Sequence, residues 1–181
     1  MALEDDGRAG HLVPGMPMPA IALPSTSGGD VDLSAVHGRA VVFCYPWTGR
    51  PGLPNPPNWD DIPGAHGSTP QAIGFRDCYP EFRARNVAVF GLSSQTTAYQ
   101  QELSDRLALP YALLCDVGFA FQKALALPTF ETGGTTYLTR LTLIVEDGAL
   151  RDCLYPVDPP EGNAAATRER LDEYELFTRM I

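Results

Sequence analysis

Ala40-Val-Val-Phe-Cys-Tyr-Pro46 is an uninterrupted apolar run closed by a proline. A stretch this short, rich in β-branched and aromatic residues and without polar alternation, suits a strand buried on both faces. Val87-Ala-Val-Phe-Gly-Leu92 repeats the pattern, and Tyr111–Cys115 gives it a third time. Helical spacing fills the intervals. One helix opens at Ser68-Thr-Pro-Gln71, where serine at the N-cap with glutamine three residues on reads as a capping box. It runs to about Arg85 with Phe75, Cys78, Tyr79 and Phe82 as its apolar stripe. Thr96–Leu107 and Val117–Leu125 read as two more helices, and Leu33–Val36 as a short helical turn. Leu141–Val145, the tight turn Asp147-Gly148 and Leu150–Tyr155 form an antiparallel hairpin. Asn163 then caps a last helix that ends near Met180, with Leu171, Tyr174 and Phe177 facing inward.

The order β-α-β-α-β-α-β-β-α predicts an α/β domain: a mixed central sheet with helices on both faces. A thioredoxin-like fold is one such arrangement. The length, 181 residues, fits one domain with a sizeable core. Residues 1–15 carry Glu4, Asp5, Asp6 and Arg8 without an apolar core, and are expected to be a flexible leader before a domain spanning 16–181. No apolar run approaches the roughly 20 residues of a bilayer-spanning helix. The net charge of -9 argues against nucleic acid, which requires a basic face. Cys44, Cys78, Cys115 and Cys153 are far apart and form no CxxC pair, so neither a metal site nor a disulfide scaffold is indicated. A reducing cytoplasm is the simplest home, and no cofactor is called for.

Trp47–Gly67 departs from this regularity. It holds five prolines and four glycines, so no regular element is expected there. Loops of this length inside a compact domain are usually functional or disordered. The insertion lies between a strand end and a helix start, where α/β sheets bind ligands. Trp59 is expected to cover part of that pocket.

Five stretches resemble the peroxiredoxin family, most closely its bacterioferritin-comigratory type. Pro17-Met-Pro-Ala-Ile-Ala-Leu-Pro24 with Gly28-Gly29 and Leu33 is similar to the family's opening strand and turn, and Val41–Pro46 to the strand leading into its active-site loop. Pro63-Gly64 followed by Gly67-Ser-Thr-Pro-Gln-Ala-Ile-Gly-Phe-Arg-Asp77 follows the family's Pro-Gly-Cys-Thr-x-x-Ala-x-x-Phe-Arg-Asp. Val89–Ser93 with Leu109–Asp116 is similar to its middle strands, and Arg140-Leu-Thr-Leu-Ile-Val-Glu-Asp-Gly148 to its terminal hairpin.

The resemblance implies a thiol peroxidase: a hydroperoxide substrate, a thiol reductant and a homodimer. It also implies that residue 68 is the nucleophile. A cysteine at a helix N-terminus, facing an arginine, has its thiolate favoured by both. Here the position is Ser68, with Arg140 as the matching arginine and Thr48 as a candidate for the family's threonine, since Ala65 stands where that threonine is expected. Pro46, Trp59, His66 and Gln71 are the remaining candidates for the substrate pocket. A serine hydroxyl has a far higher pKa than a thiol and no sulfenic acid stage, so the chain as written is expected to be inactive or crippled as a peroxidase. The resolving position five residues on is Ile73, while Cys78 lies about 15 Å along the helix and reads as a small buried hydrophobe. Ser68 reads either as a cysteine-to-serine substitution in a working enzyme or as a native residue serving ligand binding or non-redox chemistry. A Ser68–His66 pair could in principle activate the hydroxyl, but a plain loop histidine and a serine serving as helix cap are the favoured readings. An anion or a water is expected between Ser68 and Arg140.

Overall fold

The computed structural model describes residues 2–181. The apolar run is β3 in a chain-order series: β1 (Ala22–Pro24), β2 (Asp30–Asp32), β3 (Arg39–Cys44), α1 (Ser68–Ala84), β4 (Val87–Ser93), α2 (Thr97–Leu107) and β5 (Ala112–Cys115). There follow α3 (Ala120–Leu125), β6 (Thr129–Thr132), β7 (Thr135–Leu138), β8 (Leu141–Glu146), β9 (Ala149–Leu154) and α4 (Asn163–Met180). Five strands form one sheet in the order β5-β4-β3-β8-β9. The β3–β4 and β4–β5 pairs are parallel; β3–β8 and β8–β9 are antiparallel. All five anticipated strands are therefore present, in a mixed sheet with β3 at its centre.

The period-two alternation of β3 sorts its side chains onto two cores. Val41 and Phe43 point to one face, where Phe75 and Phe82 of α1, Leu103 of α2 and Leu171 of α4 cover them. Ala40, Val42 and Cys44 point to the other, against Phe121 and Leu125 of α3 and the N-terminal Met18, Leu23 and Leu33. Helices thus lie on both faces, but the second face is closed mainly by one short helix and the β1–β2 ribbon. Phe43 stacks on Phe75 at 4.4 Å between ring centroids, fixing the tilt of α1 over the sheet.

Several local expectations need correction. The N-cap of α1 is Gly67, at φ 104°, and Ser68 is the first helical residue, so no capping box forms. Asn163 begins α4 in helical conformation and its side chain turns into the core instead of capping. Leu171 is fully buried, whereas Phe177 is 65% exposed, one turn too late to reach the sheet. The Pro-rich segment contains one short 3-10 turn at Trp59–Asp61. The expected leader is docked: Leu3 N donates to Asp158 (2.8 Å), Arg8 to the Thr129 carbonyl (2.9 Å), and His11 pairs with the Leu125 carbonyl (2.9 Å). Ala9 and Leu12 are buried with it. These ties span more than a hundred residues of sequence, so no local pattern announces them. Among the described residues no helix is long and apolar enough to cross a membrane.

Candidate functional site

Arg140 immediately precedes β8 and is 97% buried at the point where α1 begins (3% exposed). Its Nη2 donates to Ser68 Oγ (3.1 Å) and to the carbonyls of His66 (3.0 Å), Ala65 (3.2 Å) and Gly64 (3.3 Å). Its Nη1 donates to Gln71 Oε1, while Nε is buried without a partner. The loop residues 64–66 thus curl around the guanidinium and deliver the chain to the helix start. Gly67 makes this turn possible. Its φ is in the left-handed region, and a Cβ there would lie 2.6 Å from Pro160 Cγ.

Every partner of Arg140 is neutral. Burial lowers its pKa to about 10, leaving it charged at neutral pH. The first-turn N–H groups of α1 have no intrahelical partner and add partial positive charge beside residue 68. Two sources of positive potential therefore converge on the Ser68 hydroxyl, and an anionic atom there would be the counter-charge the guanidinium lacks. Ser68 Oγ and Arg140 Nη2 touch directly, leaving no gap between them for the anion or water anticipated from the sequence.

The cleft outside Ser68 measures about 480 Å³ and is lined by Trp47, Asn55, Trp59, His66, Ser68 and Pro70, among others. Trp59, 3% exposed, sits edge-on to Trp47 and Tyr137 and against Phe130. This aromatic cluster keeps the Pro-rich segment ordered, with Trp59 on the cleft wall. A second cavity of about 450 Å³ lies on another side of Arg140, walled by Leu3, Ile62, Phe130, Tyr155 and Val157, and Ser68 is not on its wall.

Other candidates are placed elsewhere. Thr48 is buried, bonds through its hydroxyl to Gln95 Oε1 (3.2 Å), and gives its carbonyl to Tyr99 Oη (2.9 Å). Neither Thr48 nor Pro46 lines the Ser68 cleft. Trp47 and Gly49, on either side of Thr48, do line it, while the Thr48 hydroxyl is turned to Gln95. Gln71 is fully buried and holds Arg140 instead of facing the cleft. His66 pairs with Asp60 (2.6 Å), both largely exposed, and among the described residues no hydrogen bond joins its ring to Ser68. The Ser–His arrangement is therefore not assembled.

No thiol reaches the site. Cys44 is fully buried in β3 and its pKa is raised by desolvation. Cys153 is pushed up to about 12, again by burial. Cys78, in the third turn of α1, is half-buried and also raised, first by desolvation and then by Glu81. Sequence reasoning missed Asn163 and Thr142, whose buried side chains hold Gln71 (Asn163 Oδ1 accepts from Gln71 Nε2 at 2.9 Å and from Thr142 Oγ1 at 2.7 Å). A polar residue inside an otherwise apolar strand was the available signal for Thr142.

The chain has known relatives. The family description Redoxin matches residues 13–171. Peroxiredoxin Q of rice, a chloroplastic protein, is 29% identical over 147 residues, covering 81% of this chain. The chain spans about 60% of the rice protein's length. The Coxiella burnetii protein bearing the peroxiredoxin bcp name is 24% identical over 161 residues, covering 87% of this chain and 97% of that one. Among solved structures, the peroxidoxin BcpB of Mycobacterium tuberculosis superposes with a TM-score of 0.72 at 21% identity, covering 90% of this chain and 98% of that one. A cysteine-to-serine mutant of Xylella fastidiosa PrxQ gives 0.74 at 17%, covering 91% and 98%. At these identities the structures speak for the thioredoxin-like fold alone, while the family match carries the membership. The chain belongs to the Redoxin family and is a peroxiredoxin-type member of it.

Proposed function

We propose that this protein is a peroxiredoxin-type thiol peroxidase scaffold in which oxygen stands at the nucleophile position, so that the pocket receives a hydroperoxide or small anionic ligand without reducing it. The carrying observation is the 3.1 Å bond from the buried, carboxylate-free Arg140 to Ser68 Oγ at the start of α1. Those surroundings favour an anion at residue 68 but cannot bring a hydroxyl to ionise near neutral pH. Ser68, Arg140 and the cleft residues Trp59 and His66 are the working set; Gln71 positions Arg140. One solved neighbour, the bacterioferritin comigratory protein of Xanthomonas campestris, is described for alkyl peroxide reduction; such a hydroperoxide is the substrate class assigned here. With cysteine at 68, a thiol reductant completes the cycle. A cytoplasmic homodimer belongs to the same reading.

The test is Ser68→Cys. The unaltered chain leaves hydrogen peroxide and an alkyl hydroperoxide unconsumed in dithiothreitol. The variant consumes them and shows a thiolate absorbance that titrates well below about 8.5, the unperturbed value. A thiol titrating at that value overturns the site assignment. A second reading, native ligand binding without redox chemistry, is favoured by Ile73 and by the raised, half-buried Cys78, which leave no second thiol at the site. It predicts a Ser68→Cys variant with a low thiol pKa yet poor turnover, and anion binding by the unaltered chain.

A further inference from the structure

Arg140 is held by an amide, and an amide works only one way round. Gln71 must present Oε1 to the guanidinium, because Nε2 there would set donor against donor. What selects the orientation lies on α4. Thr167 Oγ1 gives its one proton to the Asn163 carbonyl (2.8 Å) and so can only accept from its other neighbours. It faces Asn163 Nδ2 in a long contact of 3.5 Å. Asn163 Oδ1 is thereby turned the other way, where it accepts from Gln71 Nε2 (2.9 Å) and Thr142 Oγ1 (2.7 Å). Gln71 Nε2 is then spent on Asn163, and Oε1 remains for Arg140. Gln71, Thr142 and Thr167 are fully buried and Asn163 is 3% exposed, so water does not compete at any link.

We propose that Asn163 is a positioning residue: oriented by Thr167, it fixes the sense of the Gln71 amide and so holds the Arg140 guanidinium against residue 68. This rests on the reading of residue 68 and Arg140 as the activation site. The relay runs from α4 through α1 to the residue ahead of β8, tying the docking of the C-terminal helix to the electrostatics of the site. A loosened guanidinium stabilises an anion at 68 less, so loss of the relay raises the pKa of a thiol placed there.

The test places Asn163→Leu, Thr167→Val and Thr167→Ser individually into Ser68→Cys and titrates the thiolate. Asn163→Leu raises the thiol pKa by about one unit, roughly a tenfold loss of thiolate at a pH below both values. Thr167→Val, close to isosteric, moves it less but in the same direction, and Thr167→Ser, which keeps the hydroxyl, restores the parent value. A parent thiol of low pKa that neither Asn163→Leu nor Thr167→Val shifts overturns the relay. Should Asn163→Leu fail to fold, the valine and serine pair at 167 decides. A parent thiol titrating at about 8.5 overturns the underlying site reading instead. In that case the relay is judged in the Ser68 chain, by hindered rotation of the Arg140 guanidinium in nitrogen-15 spectra. Rotation freed by Thr167→Val and not by Thr167→Ser supports it, and rotation unchanged by both overturns it.

Discussion

Residue 68 and the four cysteines occupy opposite kinds of environment in one domain. Ser68 stands at a helix start with a buried guanidinium on its oxygen and no carboxylate in contact with that guanidinium. Cys44, Cys115 and Cys153 lie in strands, and Cys78 sits deep along α1. Burial raises the pKa of Cys44, Cys78 and Cys153. Three thiols stand where burial opposes ionisation, while at the helix start an oxygen stands beside a buried guanidinium. Reactivity in this fold is thus a property of position: the sheet supplies desolvation, which opposes a thiolate, and the α1 terminus supplies compensating charge, which favours one.

The largest expected effect comes from moving sulfur across that divide. In Ser68→Cys the new thiol reacts with iodoacetamide at neutral pH faster than any of the four native ones by about two orders of magnitude, the scale set by a thiol pKa lowered toward 6. Adding Arg140→Met removes the positive charge and returns most of that gain. Equal alkylation rates for residue 68 with and without Arg140 would break the comparison, by showing that the helix end alone sets the thiol.

Gly67→Ala tests the hinge between the two environments. The new methyl would meet Pro160 at 2.6 Å, and the backbone would be held at φ 104°. A left-handed non-glycine costs about 1–2 kcal/mol and overpacking about 1–3 kcal/mol. Urea denaturation should therefore show a loss of about 3 kcal/mol. A change below about 0.5 kcal/mol, the ordinary surface range, would mean that the turn relaxes freely and does not fix the helix start.

Among the native thiols a smaller ordering is expected. A disulfide reagent reaches Cys78 first and slowly, while Cys44 and Cys115, at 0% and 5% exposure, react only on unfolding. Rapid labelling of Cys44 would contradict its place in the central strand.

The sheet was legible because four of its five strands are short, largely apolar runs, while β9, with Arg151 and Asp152 at its middle, follows from the tight Asp147-Gly148 turn that pairs it with β8. β6 and β7 were not, since Thr-Phe-Glu-Thr and Thr-Thr-Tyr-Leu alternate weakly and pair only with each other. The site was legible in part. Ser68 and Arg140 meet because the helix start and the strand end are fixed by the fold. The Thr48 hydroxyl turns to Gln95 although Trp47 and Gly49 beside it line the cleft, and nothing in a Pro-rich segment tells which way one side chain turns. Asn163 reads as a cap because asparagine is favoured at N-caps; a partner 92 residues away, Gln71, claims its side chain instead.

The docked N-terminal segment offers the smallest and most easily isolated test, because the Asp6 carboxylate gathers two of its charge-assisted contacts. Asp6 accepts hydrogen bonds from Tyr155 Oη (2.7 Å) and Arg8 Nε (2.7 Å), and Arg8 in turn reaches the Thr129 carbonyl. The Tyr155 bond first, then Arg8, lowers the Asp6 pKa from 3.8 to about 2. A depressed carboxylate pKa stabilises the docked state above the free value and stops doing so as the pH falls through the docked one. Docking should therefore be intact above pH 3.8 and weaken toward pH 2, a window read from the methyl signals of the buried Leu12. Asp6 is exposed, so the change is small and shrinks in salt. Asp6→Asn keeps much of the shape without the charge, and should lose the component of the Leu12 shift that titrates between these limits. An identical acid profile in the variant would place the docking energy in Ala9 and Leu12, and leave the Asp6 contacts without thermodynamic weight.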